Sequence, residues 1–118
     1  MASYSRQLLS GSTNGKAVSV AATATAGTTI HTALAGTTGY DEIYLYVTNI
    51  DSSAHQLTIE WGAAGSATAH LVDTLSIPAN SAPIPICPGL VLQNGLVVGA
   101  FADAANKLLI TGFVNRIQ

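Results

Sequence analysis

Charged side chains are scarce in this 118-residue chain: four Lys and Arg and six Asp and Glu make up 8% of it, for a net charge of −2. An ordinary soluble domain carries roughly 25%. The four cations, Arg6, Lys16, Lys107 and Arg116, are scattered, so the clustered positive charge that tracks a phosphate backbone is missing and no nucleic-acid partner is expected. Cysteine is nearly absent too. Cys87 stands alone, which rules out an internal disulfide and fits synthesis in a reducing cytoplasm. With no cation beside it to stabilise a thiolate, Cys87 reads as a small apolar residue. No uninterrupted apolar run reaches the ~18 residues that a membrane-spanning helix needs. The start, Met1 to Arg6, shows no apolar stretch behind its basic residue, so no secretion signal is expected. An outer-membrane barrel would need secretion and aromatic girdles, and aromatics are only 6% of the chain. No membrane partner is expected.

Catalytic motifs are missing as well. Asp41, Glu42, Asp51, Glu60, Asp73 and Asp103 have no spacing that marks a paired acid and base. His31, His55 and His70 lie in three segments without a metal-ligand pattern. There is no Gly-x-Ser-x-Gly elbow and no phosphate loop. The expectation is a chain without enzymatic activity, metal or cofactor, in which Glu60 is a solvated surface residue.

Alternation is what the sequence does contain. In Glu42 to Asn49, Ile43, Leu45 and Val47 point one way and Tyr44, Tyr46 and Thr48 the other, the period of a half-buried strand. After the turn-rich Asn49 to Ser53, the run His55 to Trp61 is expected to bury Leu57, Ile59 and Trp61 and to expose Gln56, Thr58 and Glu60. The two runs read as an antiparallel hairpin. In His70 to Ile77, Leu71, Leu75 and Ile77 share a face. Pro83 to Pro88 lacks ladder donors and reads as an extended edge segment closed by a turn at Gly89. Leu90 to Leu92 and Leu96 to Phe101 flank Asn94-Gly95, a strong hairpin signal. Lys107 to Ile117 is a long strand, apolar on both faces.

Ser10 to Thr38 is different, dominated by Ala, Thr, Ser and Gly. Lys16 to Val20 and Thr28 to Leu34 alternate acceptably, and the region reads either as edge strands or as an arm ordered by a neighbour. The organisation expected is one all-β domain over residues 1–118, with residues 1–38 as arm or edge strands and 39–118 as the core sandwich. Seven or eight short strands suggest an antiparallel β-sandwich or jelly roll, with a flattened barrel as the alternative. So little charge gives little self-repulsion, which points to assembly with other subunits. Tyr44, Tyr46, Thr48 and Thr58 are the candidate protein-interface residues. The tyrosines either meet a partner or are covered within the chain.

Leu57 to Gly62, Ile77-Pro78-Ala79, Pro88 to Val98 and Ile110 to Ile117 together resemble small virion proteins of tailed bacteriophages, of the capsid decoration (cement) type. The resemblance spans roughly Asp41 to Gln118 and leaves out the Ala/Thr-rich N-terminal third. It implies a structural protein made in the host cytoplasm and located on the virion, at the capsid surface. Its partner would be the major capsid protein, which it would stabilise as a homo-oligomer, a trimer by the habit of such proteins. Another head or tail component is the first rival. A carbohydrate-binding sandwich with Tyr40, Tyr44, Tyr46 or Trp61 as a stacking platform is the second.

Overall fold

The computed structural model describes residues 3–118; Met1 and Ala2, part of the stretch read above for a secretion signal, lie outside the described residues. Nine strands are found among them: β1 (Tyr4–Leu8), β2 (Val18–Ser19), β3 (Thr28–Thr32), β4 (Tyr40–Asn49), β5 (His55–Trp61), β6 (His70–Ile77), β7 (Ile84–Leu92), β8 (Val97–Ala102) and β9 (Leu108–Ile117). One short 3-10 turn, Ala67–Ala69, precedes β6. The strands form two antiparallel sheets. The first runs β1-β9-β4-β7, with β2 continuing the β1 edge along β9, and the second runs β3-β8-β5-β6.

The pairings are nested: β5 with β6, β4 with β7, β3 with β8, and β1 with β9. A long antiparallel ribbon rolled so that successive pairs alternate between two sheets is a jelly roll. The fold class expected from the sequence is therefore the one found. Its core lies between the sheets and includes Ile43, Leu45 and Val47 of β4, Leu57 and Ile59 of β5, Val98 and Ala100 of β8, and Leu108, Ile110 and Val114 of β9.

Two expected hairpins are not hairpins. β4 and β5 lie in opposite sheets, because both ladder sides of β4 are taken by β7 and β9. Asn49 makes the crossing. Its amide nitrogen donates to the carbonyls of Ser53 and Ile77 at 2.9 and 3.1 Å, and its Oδ1 accepts from the Asp51 amide at 2.9 Å. Likewise β7 and β8 are in different sheets. Asn94 and Gly95 do adopt the paired positive φ values, 64° and 68°, that this dipeptide favours. Their amides, however, donate to Gly36 and Leu34, so the turn hands the chain from one sheet to the other.

Other local expectations shift for local reasons. Gly89 (φ 94°) lies inside β7 as a bulge and does not end it. Thr74, with φ 58°, interrupts β6, and Leu75 is left exposed while Leu71 and Val72 pack against the core. Trp61 points inward but is half-buried, since it closes the end of β5. The proline-rich segment does form an edge, paired only to β4. Residues 3–38 take the course of edge strands: Leu9, Val18, Val20 and Ile30 belong to the core cluster, so the core is not confined to 39–118.

Candidate functional site

The outer face of the first sheet follows from the register. Residues of β4 with even numbers point away from the core, and β9 sets Phe113 opposite Tyr44, Asn115 opposite Glu42, Thr111 opposite Tyr46 and Leu109 opposite Thr48. β1 adds Leu8 beside Phe113 and Arg6 beside Asn115. β7 adds Pro85, Pro88 and Val91 along the other side of β4. Among the described residues no other sheet covers this face; Tyr44, Tyr46 and Thr48 are half-buried among their strand neighbours.

The middle of the face is a stacked row. The Tyr44 and Phe113 rings lie 4.7 Å apart and 15° from parallel, and the Arg6 guanidinium sits 4.6 Å over the Phe113 ring. Beneath Tyr44 lies Gly89, where a Cβ would come within 2.8 Å of the ring. On the other side Gly112 lets β9 approach β4, since a Cβ there would lie 2.0 Å from the Tyr44 carbonyl oxygen. The Tyr44 hydroxyl donates to Glu42 Oε1 at 2.8 Å and the Asn115 amide donates to the same oxygen at 3.2 Å. That bond to the Glu42 carboxylate, with burial and the Glu42 charge, raises the Tyr44 phenol above its ordinary range. Both charges on the face are thus engaged within it. A flat, aromatic, fixed surface can bury area against a partner with little loss of side-chain freedom.

Thr58 departs from the expectation. It is buried, lies in the other sheet, and accepts the Thr74 amide at 3.1 Å where β6 bulges over it. It shares no surface with Tyr44, Tyr46 and Thr48. Trp61 is likewise in the second sheet, so the four aromatics considered for a stacking platform do not lie on one face.

Glu60 departs further. The expected surface carboxylate is 1% exposed. Its Oε2 accepts the Thr25 hydroxyl and the Gly65 amide (2.9 Å), and its Oε1 accepts the Gly27 amide at 2.6 Å. Burial alone would raise its pKa, but these three donors outweigh it and hold the carboxyl below its ordinary value. The result is a clamp joining the Thr25–Gly27 and Gly62–Gly65 loops over the second sheet. A cleft of about 390 Å³ lies beside it, lined by Ala26, Gly27, Gly62, Leu96, Val97 and the Glu60 wall.

Two further clusters are held within the fold. Asp41 is fully buried and accepts from His31 Nε2 at 2.7 Å, from the Leu34 amide at 3.1 Å, and from Arg116 Nε and Nη2 at 2.8 and 3.0 Å. The Ser10 amide donates to His31 Nδ1 at 3.0 Å, which places the ring proton on Nε2, facing the carboxylate. Serine, histidine and aspartate meet here, yet the serine offers its backbone amide, and its hydroxyl accepts the Thr32 amide at 2.7 Å. Among the described residues no side-chain nucleophile is bonded to the imidazole, and the bonds that are present tie the segment before β4 to β4 and β9. At the opposite end of β4, His55 lies between two carboxylates, Nε2 2.6 Å from Asp51 and Nδ1 2.9 Å from Asp103, and donates to both when its ring is protonated. Cys87 is buried and its thiol donates to the Ile43 carbonyl at 3.1 Å. Burial pushes that thiol up, against the Leu90 and Gly89 amides.

No family model, curated protein or solved structure matches this chain. Among the described residues, no group of three or more His, Cys, Asp and Glu side chains is placed to hold a metal ion, and no helix is long and apolar enough to cross a membrane.

Proposed function

We propose that the chain is a structural virion protein of the capsid decoration type, which docks on the major capsid protein shell through the outer face of the first sheet. The observation that carries this reading is the face itself. Tyr44, Tyr46, Phe113, Leu109, Pro85, Pro88 and Val91 spread over three adjacent strands, with Arg6 and Glu42 engaged by their own neighbours. Interfaces that exclude water are enriched in such aromatic residues and depleted of Glu, Asp and Lys. The jelly-roll fold is compatible with this role and also serves unrelated ones. Cofactor-free binding of protein subunits, outside the cell once particles are released, needs nothing more than this surface.

The test is cosedimentation of the purified protein with undecorated particles of the phage that encodes it, comparing the wild type with Tyr46→Asp and Val91→Asp. Both positions lie on the proposed face, and neither side chain is in the core. Val91→Asp, at an exposed position, should keep its thermal stability, Tyr46→Asp should stay folded with a lower Tm, and both should lose occupancy on particles. Occupancy should also change little between low and high salt, because no cluster of charge steers the contact. Binding of both variants at wild-type occupancy would refute the assignment of the face, and failure of the wild type to bind would refute the function.

A further inference from the structure

Sheet edges carry unpaired backbone groups, and four edges exist in this sandwich: β1, β7, β3 and β6. Three of them are blunted. β7 carries Pro85 and Pro88 and a bulge at Gly89. β6 bulges at the positive φ of Thr74, whose amide turns back to Thr58. β3 is capped on its outer side by the preceding segment, where the Gly11 amide donates to the Ile30 carbonyl and the Thr32 amide to the Ser10 hydroxyl. Proline, bulges and covering loops are the devices that stop an edge from pairing with another chain. β1 has none of them, and its one charged side chain, Arg6, which could also guard an edge, is drawn over the Phe113 ring.

The direction of its free groups is fixed by its pairing with β9. Ser3 and Gln118 exchange both backbone bonds, so along an antiparallel pair Ser5 and Gln7 face β9 as well, while the amides and carbonyls of Tyr4, Arg6 and Leu8 face outward. Tyr4 and Leu8 are also the most exposed large hydrophobic side chains among the described residues, at 73% and 59%. Apolar groups and open hydrogen-bonding groups thus coincide on one strand.

We propose that this edge pairs with the same edge of a second copy, β1 against β1 antiparallel about a two-fold axis through Arg6. The strand is self-complementary in that register. Tyr4 falls opposite Leu8 of the other copy, Leu8 opposite its Tyr4, and Arg6 opposite its Arg6, so all six outward groups find partners at once. The two guanidiniums do not collide, because each is drawn inward over its own Phe113 ring. Tyr4 and Leu8 cover each other, and the first sheets of the two copies become one continuous sheet with a doubled outer face. An isologous contact of this kind closes as a dimer, in place of the trimer that the resemblance implies. It does not depend on the capsid-binding reading.

Sedimentation velocity over a wide concentration range should show the 12.0 kDa chain converting to a species of twice the mass. Arg6→Pro removes an outward amide that β9 does not use, a position where an edge strand tolerates proline. It should remain folded by circular dichroism and stay monomeric. Arg6→Cys provides a reading independent of that substitution. Opposed residues of a hydrogen-bonded antiparallel pair have Cα atoms about 5.5 Å apart, within disulfide range, so mild oxidation should give a covalent dimer. Ser5→Cys, on the opposite face of the strand and placed across from Gln7 of the partner and not from its own copy, should not, and the buried Cys87 gives no background. A wild type that stays monomeric throughout with no Arg6→Cys cross-link overturns the proposal, as does a dimer that survives Arg6→Pro.

Discussion

Replacing Asp41 by Asn would keep the size of the side chain and remove the charge on which the end of the sandwich is organised. The carboxylate accepts four donors from three residues, His31 and Leu34 in the segment just before β4 and Arg116 near the far end of the chain. An amide offers one acceptor oxygen and turns an NH2 group toward donors that need acceptors. Removing one partner of a buried ion pair costs about 3–5 kcal/mol, much of it from the group left behind. Arg116 retains 23% side-chain exposure and can turn toward water, so the lower end, about 3 kcal/mol, is expected. For a domain of this size that corresponds to a fall in Tm on the order of 10 °C, readable by circular dichroism at neutral pH. Acid provides a second reading. Burial raises the Asp41 pKa, but the hydrogen bonds from Arg116 and His31 and the Arg116 charge prevail, and the folded-state value is lowered from 3.8. A group whose pKa is lower in the folded state contributes its full stabilisation above the unfolded value and loses it as pH falls through the folded one. The stability gap between wild type and Asp41→Asn should therefore be constant near neutrality and shrink below about pH 4. A variant with unchanged Tm, or a gap that does not narrow in acid, would refute the account of this tie.

Glu60→Gln should cost about 1–3 kcal/mol, since one amide oxygen cannot satisfy three buried donors; hydrogen exchange should quicken selectively at Gly27 and Gly65, and uniform protection would argue against the clamp. His55, which can donate to both carboxylates only as the protonated ring, has its pKa raised from 6.5 by the bond to Asp51, against burial and with help from Asp103. A raised value means that its stabilisation is complete below the unfolded pKa and fades as pH climbs through the higher folded one. Urea denaturation of the wild type should therefore show a decline in alkali above pH 6.5 that His55→Gln lacks, and parallel pH profiles for the two proteins would count against it.

The parts of the fold that were legible are those decided by neighbours in sequence. The alternation of Ile43, Leu45 and Val47 against Tyr44, Tyr46 and Thr48 is a period of two, and it marks inside from outside without knowledge of the partner strand. Prolines 83, 85 and 88 excluded a central position for the same local reason. The turn at Asn94-Gly95 was legible as a turn, yet nothing in a dipeptide records whether the next strand joins the same sheet or the facing one. The Asn49 corner misled in the same way. Thr58 and Glu60 point outward on β5 as alternation requires, and they are buried because distant pieces of chain lie over them: Thr74 of β6 on one, Thr25 to Gly27 on the other. Arg116 and Asp41 are paired through adjacent central strands, a contact that no spacing motif encodes. The tyrosine face was found from the sequence; its other half, Phe113 and Arg6, was not, because the register of β9 against β4 had to be known first.

The nesting of the strand pairs also carries an expectation for the order in which the chain folds. Among the described residues, β5 and β6 are the only partners separated by little more than a loop; each further pair, β4 with β7, β3 with β8, β1 with β9, encloses the one before it. The entropy of closing a loop must be met before a distant pairing returns anything, and it rises with the length enclosed. If the inner pair forms first, each outer closure spans only the short segments added since the last, whereas starting from β1 and β9 would mean closing nearly the whole chain at once. The kinetics should then be slow for a domain of this size, with mutations in β5 and β6 slowing folding and mutations in β1 and β2 mainly hastening unfolding. The Ala- and Thr-rich strands at the beginning, synthesised first, would be the last to find their places.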